Sequence, residues 1–106
     1  SGGVFDANIF DNILLSLNAS LEFSNARNVN INSNRLDARI GTGPSIRFDR
    51  YIERFVVTDN LVSGFQDGVY FDSSIKSSCS GIIKNNNFEV KRNRVSNFSF
   101  ASVEID

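Results

Sequence analysis

Apolar side chains recur along this chain in short period-2 bursts set between polar, asparagine-rich stretches, and the bursts return at a fixed distance. Phe5-x-x-Asn8-x-Phe10, Ile31-x-x-Asn34-x-Leu36, Val57-x-x-Asn60-x-Val62 and Ile83-x-x-Asn86-x-Phe88 each begin 26 residues after the one before. Every copy sets an apolar residue, an asparagine and a second apolar residue at offsets of 0, 3 and 5. Four copies in register define one supersecondary unit stacked on itself.

The approach to each motif alternates, as in Val29-Asn-Ile31, Phe55-Val-Val57 and Gly81-Ile-Ile83, which is the spacing of a strand. The asparagine marks a bend, because Asn tolerates left-handed conformations and bonds local backbone. Beyond the bend Phe10, Leu36, Val62 and Phe88 are expected to point back inside. A second strand follows in each unit: Leu21-Glu-Phe23, Ile46-Arg-Phe48, Val69-Tyr-Phe71 and Phe98-Ser-Phe100. Its copies are 25, 23 and 29 residues apart, so the slack belongs to loops and one corner of each unit carries an excursion. Val103-Glu-Ile105 repeats the pattern of Val29-Asn-Ile31 and reads as the opening of a fifth unit.

Helix competes poorly. Residues 9–17 hold an apolar run that could make a turn or two, but elsewhere Asn, Ser, Gly and β-branched residues crowd every window. A meander sandwich gives no reason for a constant 26-residue period, whereas a coiled solenoid stacks like on like. The expectation is an all-β chain: one solenoid domain, or a fragment of a longer one, of about four rungs over residues 1–106.

The pattern resembles the right-handed parallel β-helix of pectate lyases and bacteriophage tailspikes. That resemblance implies a ladder of stacked asparagine amides, here Asn8, Asn34, Asn60 and Asn86. It implies more about fold than about function.

Composition narrows the chemistry. Ten Phe with no Trp or Met suit a Phe-stacked core, and 14 Asn with 15 Ser suit a turn-rich β protein. The net charge of −1 offers no global field for nucleic acid or an anionic membrane. No apolar stretch reaches the roughly 18 residues of a membrane-spanning helix. With no His and a single Cys, the usual nucleophile triads and zinc sites lack their parts, and neither metal nor cofactor is expected. Cys79 lies in the Ser-rich run 73–80, expected to be a surface loop, and reads as structural or incidental.

Carboxylates are the remaining catalytic groups, since glycoside hydrolysis needs only two. Asp49 and Asp72 each follow a second-strand Phe and should stack on adjacent rungs, with Arg50 or Arg54 to compensate their charge. A solvated outer face explains the same pair. Asp67, before Gly68, is a weaker catalytic candidate and an ordinary turn residue. Tyr70 and Tyr51 could stack on sugar rings, Tyr70 better because it alternates outward between Val69 and Phe71, with Arg50 a further glycan contact. Lys91-Arg92-Asn93-Arg94 is a basic cluster that could meet an acidic polysaccharide. Asn18-Ala-Ser20 and Asn97-Phe-Ser99 match the glycosylation sequon and are taken as chance.

Neither end of the chain has room for a capping element, so an assembly is expected, and the resemblance implies a trimer. The first functional reading is a structural, receptor- or glycan-contacting segment of a phage tailspike or tail fibre, on a virion or otherwise outside the cell, with no active site of its own. The alternatives are part of a polysaccharide lyase or hydrolase, and a secreted bacterial adhesin.

Overall fold

A computed structural model of the chain describes residues 5–12, 15–17, 19–39, 43–73, 75, 79–96 and 102–105. It contains β1 (Phe5–Phe10), β2 (Leu15–Leu17), β3 (Leu21–Asn32), β4 (Arg35–Ala38), β5 (Pro44–Thr58) and β6 (Leu61–Ser63), then β7 (Asp67–Phe71), β8 (Ser80–Lys84), β9 (Asn87–Glu89), β10 (Val95–Ser96) and β11 (Ser102–Ile105). Every pairing is parallel, and the chain coils as a β-solenoid of about three turns.

Each turn lays down three strand segments. The long strands β3 and β5 fold over a corner where the register slips, at Asn25 (φ 59°) and Arg50 (φ 60°). Residues 21–24 and 44–49 therefore join β7 and β10 in a first wall. Residues 26–32 and 52–58 join β1, β8 and β11 in a second. A separate sheet, β2-β4-β6-β9, makes the third. One residue in two faces inward, and the inward columns stack like on like: Ile31 on Val57 on Ile83, and Phe23 on Phe48 on Phe71. All six are buried. Phe48 is the hub, with ring centroids 5.1 Å from Phe55, 5.4 Å from Phe71 and 5.9 Å from Phe23, the range in which tilted aromatic pairs attract.

The constant 26-residue period has an unexpected origin. Phe55 stacks on Val29 and Gly81 on Phe55, each at a separation of 26, but the two turns spend their residues at different corners. Between Ala38 and Ile46 the return to the first wall takes eight residues, where Gly64 to Val69 takes five. The corner from Phe71 to Gly81 then takes ten residues, where Phe48 to Phe55 takes seven. Outside these turns the separation falls to 22, as in Ile9 with Ile31 and Val103 with Gly81.

That shorter step corrects the first copy of the motif. Ile9, not Phe5, takes the place of Ile31, so Phe10 points outward and is 50% exposed. On the second strand, Val95 pairs with Val69 where Phe98 was expected, and Phe98 and Phe100 lie outside the described residues. Cys79 and Ile75 are buried in the core rather than carried on a surface loop. Both side chains belong to the hydrophobic core cluster.

A stacked amide corner and a charged outer wall

The tightest corner, between the second and third walls, is the same in every turn. Asp11, Ser33, Asp59 and Asn85 adopt φ of 56°, 59°, 58° and 58°. Each stands immediately before an asparagine: Asn12, Asn34, Asn60 and Asn86. The left-handed bend is thus made by the residue before the ladder asparagine, and the asparagine itself turns its amide inward. Asn60 shows the arrangement in full. Its Nδ2 donates to the Ile31 carbonyl on the turn below (3.0 Å) and to Asn86 Oδ1 above (2.9 Å). Its Oδ1 accepts the Asn34 main-chain N–H (2.9 Å) and Asn34 Nδ2 (3.0 Å). All four hydrogen-bonding positions of a buried side-chain amide are filled, which removes the cost of burying it.

Asn34, Asn60 and Asn86 form this ladder, and its first member is Asn12, whose Nδ2 lies 2.7 Å from Asn34 Oδ1. Asn8 does not belong to it. It sits mid-strand on the outer side of β1 and accepts from Asn30 Nδ2 at 3.0 Å.

The first wall gathers the sequence-predicted carboxylates and one tyrosine. Its outward column runs Glu22, Arg47, Tyr70, Ser96 by strand register. Asp49 and Asp72 stand beside it on adjacent turns. The cation between them is Arg47, not Arg50 or Arg54: its guanidinium is 2.5 Å from Asp72 Oδ1 and 3.7 Å from Asp49 Oδ2. Alternation explains why, since Arg47 and Asp49 leave the same side of β5, whereas Arg50 occupies the left-handed bend. Arg47 Cζ also lies 5.0 Å from the Tyr70 ring centroid, a cation–π distance. Tyr70, partly exposed, is therefore seated on a guanidinium that is itself held from two sides. Two polar atoms on this wall, Asp49 Oδ1 and Ser96 Oγ, are buried without a hydrogen-bond partner.

The remaining candidates are dispersed. Tyr51 and Arg50 sit at the corner beyond the wall, and Tyr51 donates to Glu53 Oε1 at 2.9 Å, a bond that raises its phenol pKa. Asp67 is buried, and its role is to anchor. Oδ2 accepts from Arg92 at 2.8 Å and Oδ1 from the Asn93 main-chain N–H at 3.1 Å. This pins the basic segment that follows β9 down onto β7. The sequons at Asn18 and Asn97 lie outside the described residues.

Among the described residues no group of three or more His, Cys, Asp or Glu is placed to hold a metal, and no helix is long and apolar enough to cross a membrane. The sequence signals of the Arg47 clamp were its strand parity with Asp49 and its position one rung below Tyr70. Compared with protein-family models, curated proteins and solved structures, this chain finds no match.

Proposed function

We propose that this chain is a rigid, glycan-contacting β-solenoid segment of a tailspike- or tail-fibre-like protein, presenting its first wall to a cell-surface polysaccharide outside the cell. The observation that carries this reading is Tyr70 seated on the Arg47 clamp. An aromatic side chain already fixed by its neighbours loses little freedom when a sugar ring packs on it, so more of the contact energy survives as affinity. The wall is held by backbone ladders across four strands, which supplies the stiffness such a platform needs.

The same geometry disfavours a hydrolase. Two catalytic carboxylates must flank the scissile bond, with about 5–9.5 Å between them. Asp49 and Asp72 instead both pair with the Arg47 guanidinium, so each carboxylate is already committed to a cation. For assembly with further copies, a trimer being what the resemblance implies, the outer side of the second wall offers Ile82 (36% exposed) stacked on Val56.

The test is retention on immobilised capsular or O-antigen polysaccharides, with light scattering for the assembly. Binding that Tyr70→Ala abolishes, with no release of reducing ends, supports the reading. Release of reducing ends that Asp72→Asn stops would replace it with the depolymerase.

A further inference from the structure

Resting on that glycan reading, we infer that the segment 91–94 is a preformed anion-reading loop, and that the polysaccharide taken by the first wall is an acidic one. The loop is fixed at every residue. The main-chain N–H groups of Lys91 and Arg92 donate to the carbonyls of Phe65 (3.2 Å) and Gln66 (2.8 Å). The carbonyls of Asn93 and Arg94 accept from Gly68 and Val69, both at 2.9 Å. Asp67 then ties down the Asn93 N–H and the Arg92 guanidinium from inside the fold. Burying a carboxylate is unfavourable unless it is fully engaged, and here its engagement fixes one short basic loop.

Only one of the three cations is used for that anchoring. Lys91 and Arg94 are exposed, and neither side chain is engaged by another described residue. Arg94 stands two residues before Ser96, whose register partner is Tyr70. It is therefore one strand spacing up and two residues along from the ring, about 8 Å between Cα atoms. A sugar on Tyr70 would have its substituents within reach of that guanidinium, whose fork matches a carboxylate. Arg39, also exposed and with its side chain engaged by no other described residue, lies on the same corner two turns below Lys91, with the buried Phe65 on the turn between. Cations spaced over three turns, Arg39 on one and Lys91 with Arg94 two turns above, suit a polymer carrying repeated carboxylates better than a single small anion. The chain's net charge of −1 suits it better than nucleic acid, whose binding draws on many phosphate contacts.

The experiment measures binding of the full chain to a polyuronate and to the same polymer after carboxyl reduction, with Arg94→Gln and Tyr70→Ala beside the parent protein. The expected result is polyuronate binding at least about tenfold tighter than the reduced polymer, with Arg94→Gln removing that preference while leaving the melting temperature unchanged. Equal binding of both polymers, unaffected by Arg94→Gln, overturns the inference and leaves the glycan reading standing. Binding of neither polymer, or binding indifferent to Tyr70→Ala, overturns both. Duplex DNA or anionic phospholipid vesicles bound as tightly as the polyuronate would show unselective charge attraction and also overturn it.

Discussion

Asn34 reaches Asn60 twice: its side-chain amide and its own main-chain N–H both donate to the single oxygen Asn60 Oδ1, at 3.0 and 2.9 Å. One oxygen therefore holds both the main chain and the side chain of the corner on the neighbouring turn.

Replacing Asn60 with Val removes that acceptor and leaves the Ile31 carbonyl and the Asn86 amide short of a partner in a buried setting. The expected loss is about 3 kcal/mol, seen as a lower urea midpoint at constant m. Asn12→Ala should also destabilise, by about 1 kcal/mol because that end is partly exposed, whereas Asn8→Ala should stay within about 0.5 kcal/mol. Equal effects at Asn8 and Asn12 would refute the register described for β1.

Gly81 lies in the column Val29–Phe55–Gly81, where a Cβ would run into the Phe55 carbonyl oxygen and ring. The missing side chain is what lets Phe55 pack at 5.3 Å from Phe71. Gly81→Ala should cost about 3 kcal/mol by overpacking. In a double-mutant cycle, Phe55→Leu should recover part of that loss, because the shorter side chain yields to the new methyl group. Strict additivity would deny the contact.

Much of this architecture was legible in the sequence, and one error shows why the rest was not. The inward columns through Ile31, Val57 and Ile83 follow from period-2 alternation, which burial enforces along every strand. The first turn departs from expectation because Phe5-x-x-Asn8-x-Phe10 satisfies the motif in a frame the strand does not use. The true frame is Ile9 with Asn12, followed by Leu15 in register with Leu36. A fixed period is a property of loop lengths, and loops are the part of a solenoid that packing constrains least. The Arg47 clamp was hidden for a different reason. Choosing Arg47 over Arg50 requires knowing that Arg50 adopts a positive φ and so leaves the strand alternation.

The anchoring of residues 91–94 can be tested by cutting the tie between Arg92 and Asp67. Arg92→Ala should cost only about 1–2 kcal/mol, since the guanidinium is 64% exposed and Oδ1 keeps its Asn93 bond. Trypsin should then cut after Lys91 or Arg94 faster than in the parent, because loops released from their anchors are preferred sites of nicking. An unaltered cleavage rate would mean that the main-chain bonds, with the Asp67–Asn93 contact, hold the loop without Arg92.

Cys79 supplies a pH signature. Burial pushes its thiol from 9.0 up to about 11, so the folded chain keeps the proton longer than the unfolded chain does. Its contribution is intact below pH 9 and is lost as the pH climbs from 9 through 11, on the order of 2 kcal/mol in all. Cys79→Ala should flatten that alkaline decline while lowering stability at neutral pH through the small cavity it leaves. At pH 8 a chromogenic disulfide reagent should label the native protein far more slowly than the urea-unfolded chain; equal rates would place the thiol at the surface.

The two 26-residue turns reach the same length by extending opposite corners, while the amide corner never varies in the described turns. The solenoid thus works like a bound spine with pages of unequal width. Peptide can be added at the 39–43 corner, or at the 72–79 corner if Ile75 and Cys79 are kept, and the columns above will realign, because alignment is set at the amide edge. A tag or epitope of several residues grafted at either corner should be carried outward by a frame that does not register its presence, whereas one residue inserted between Asp59 and Asn60 should unbind the whole stack.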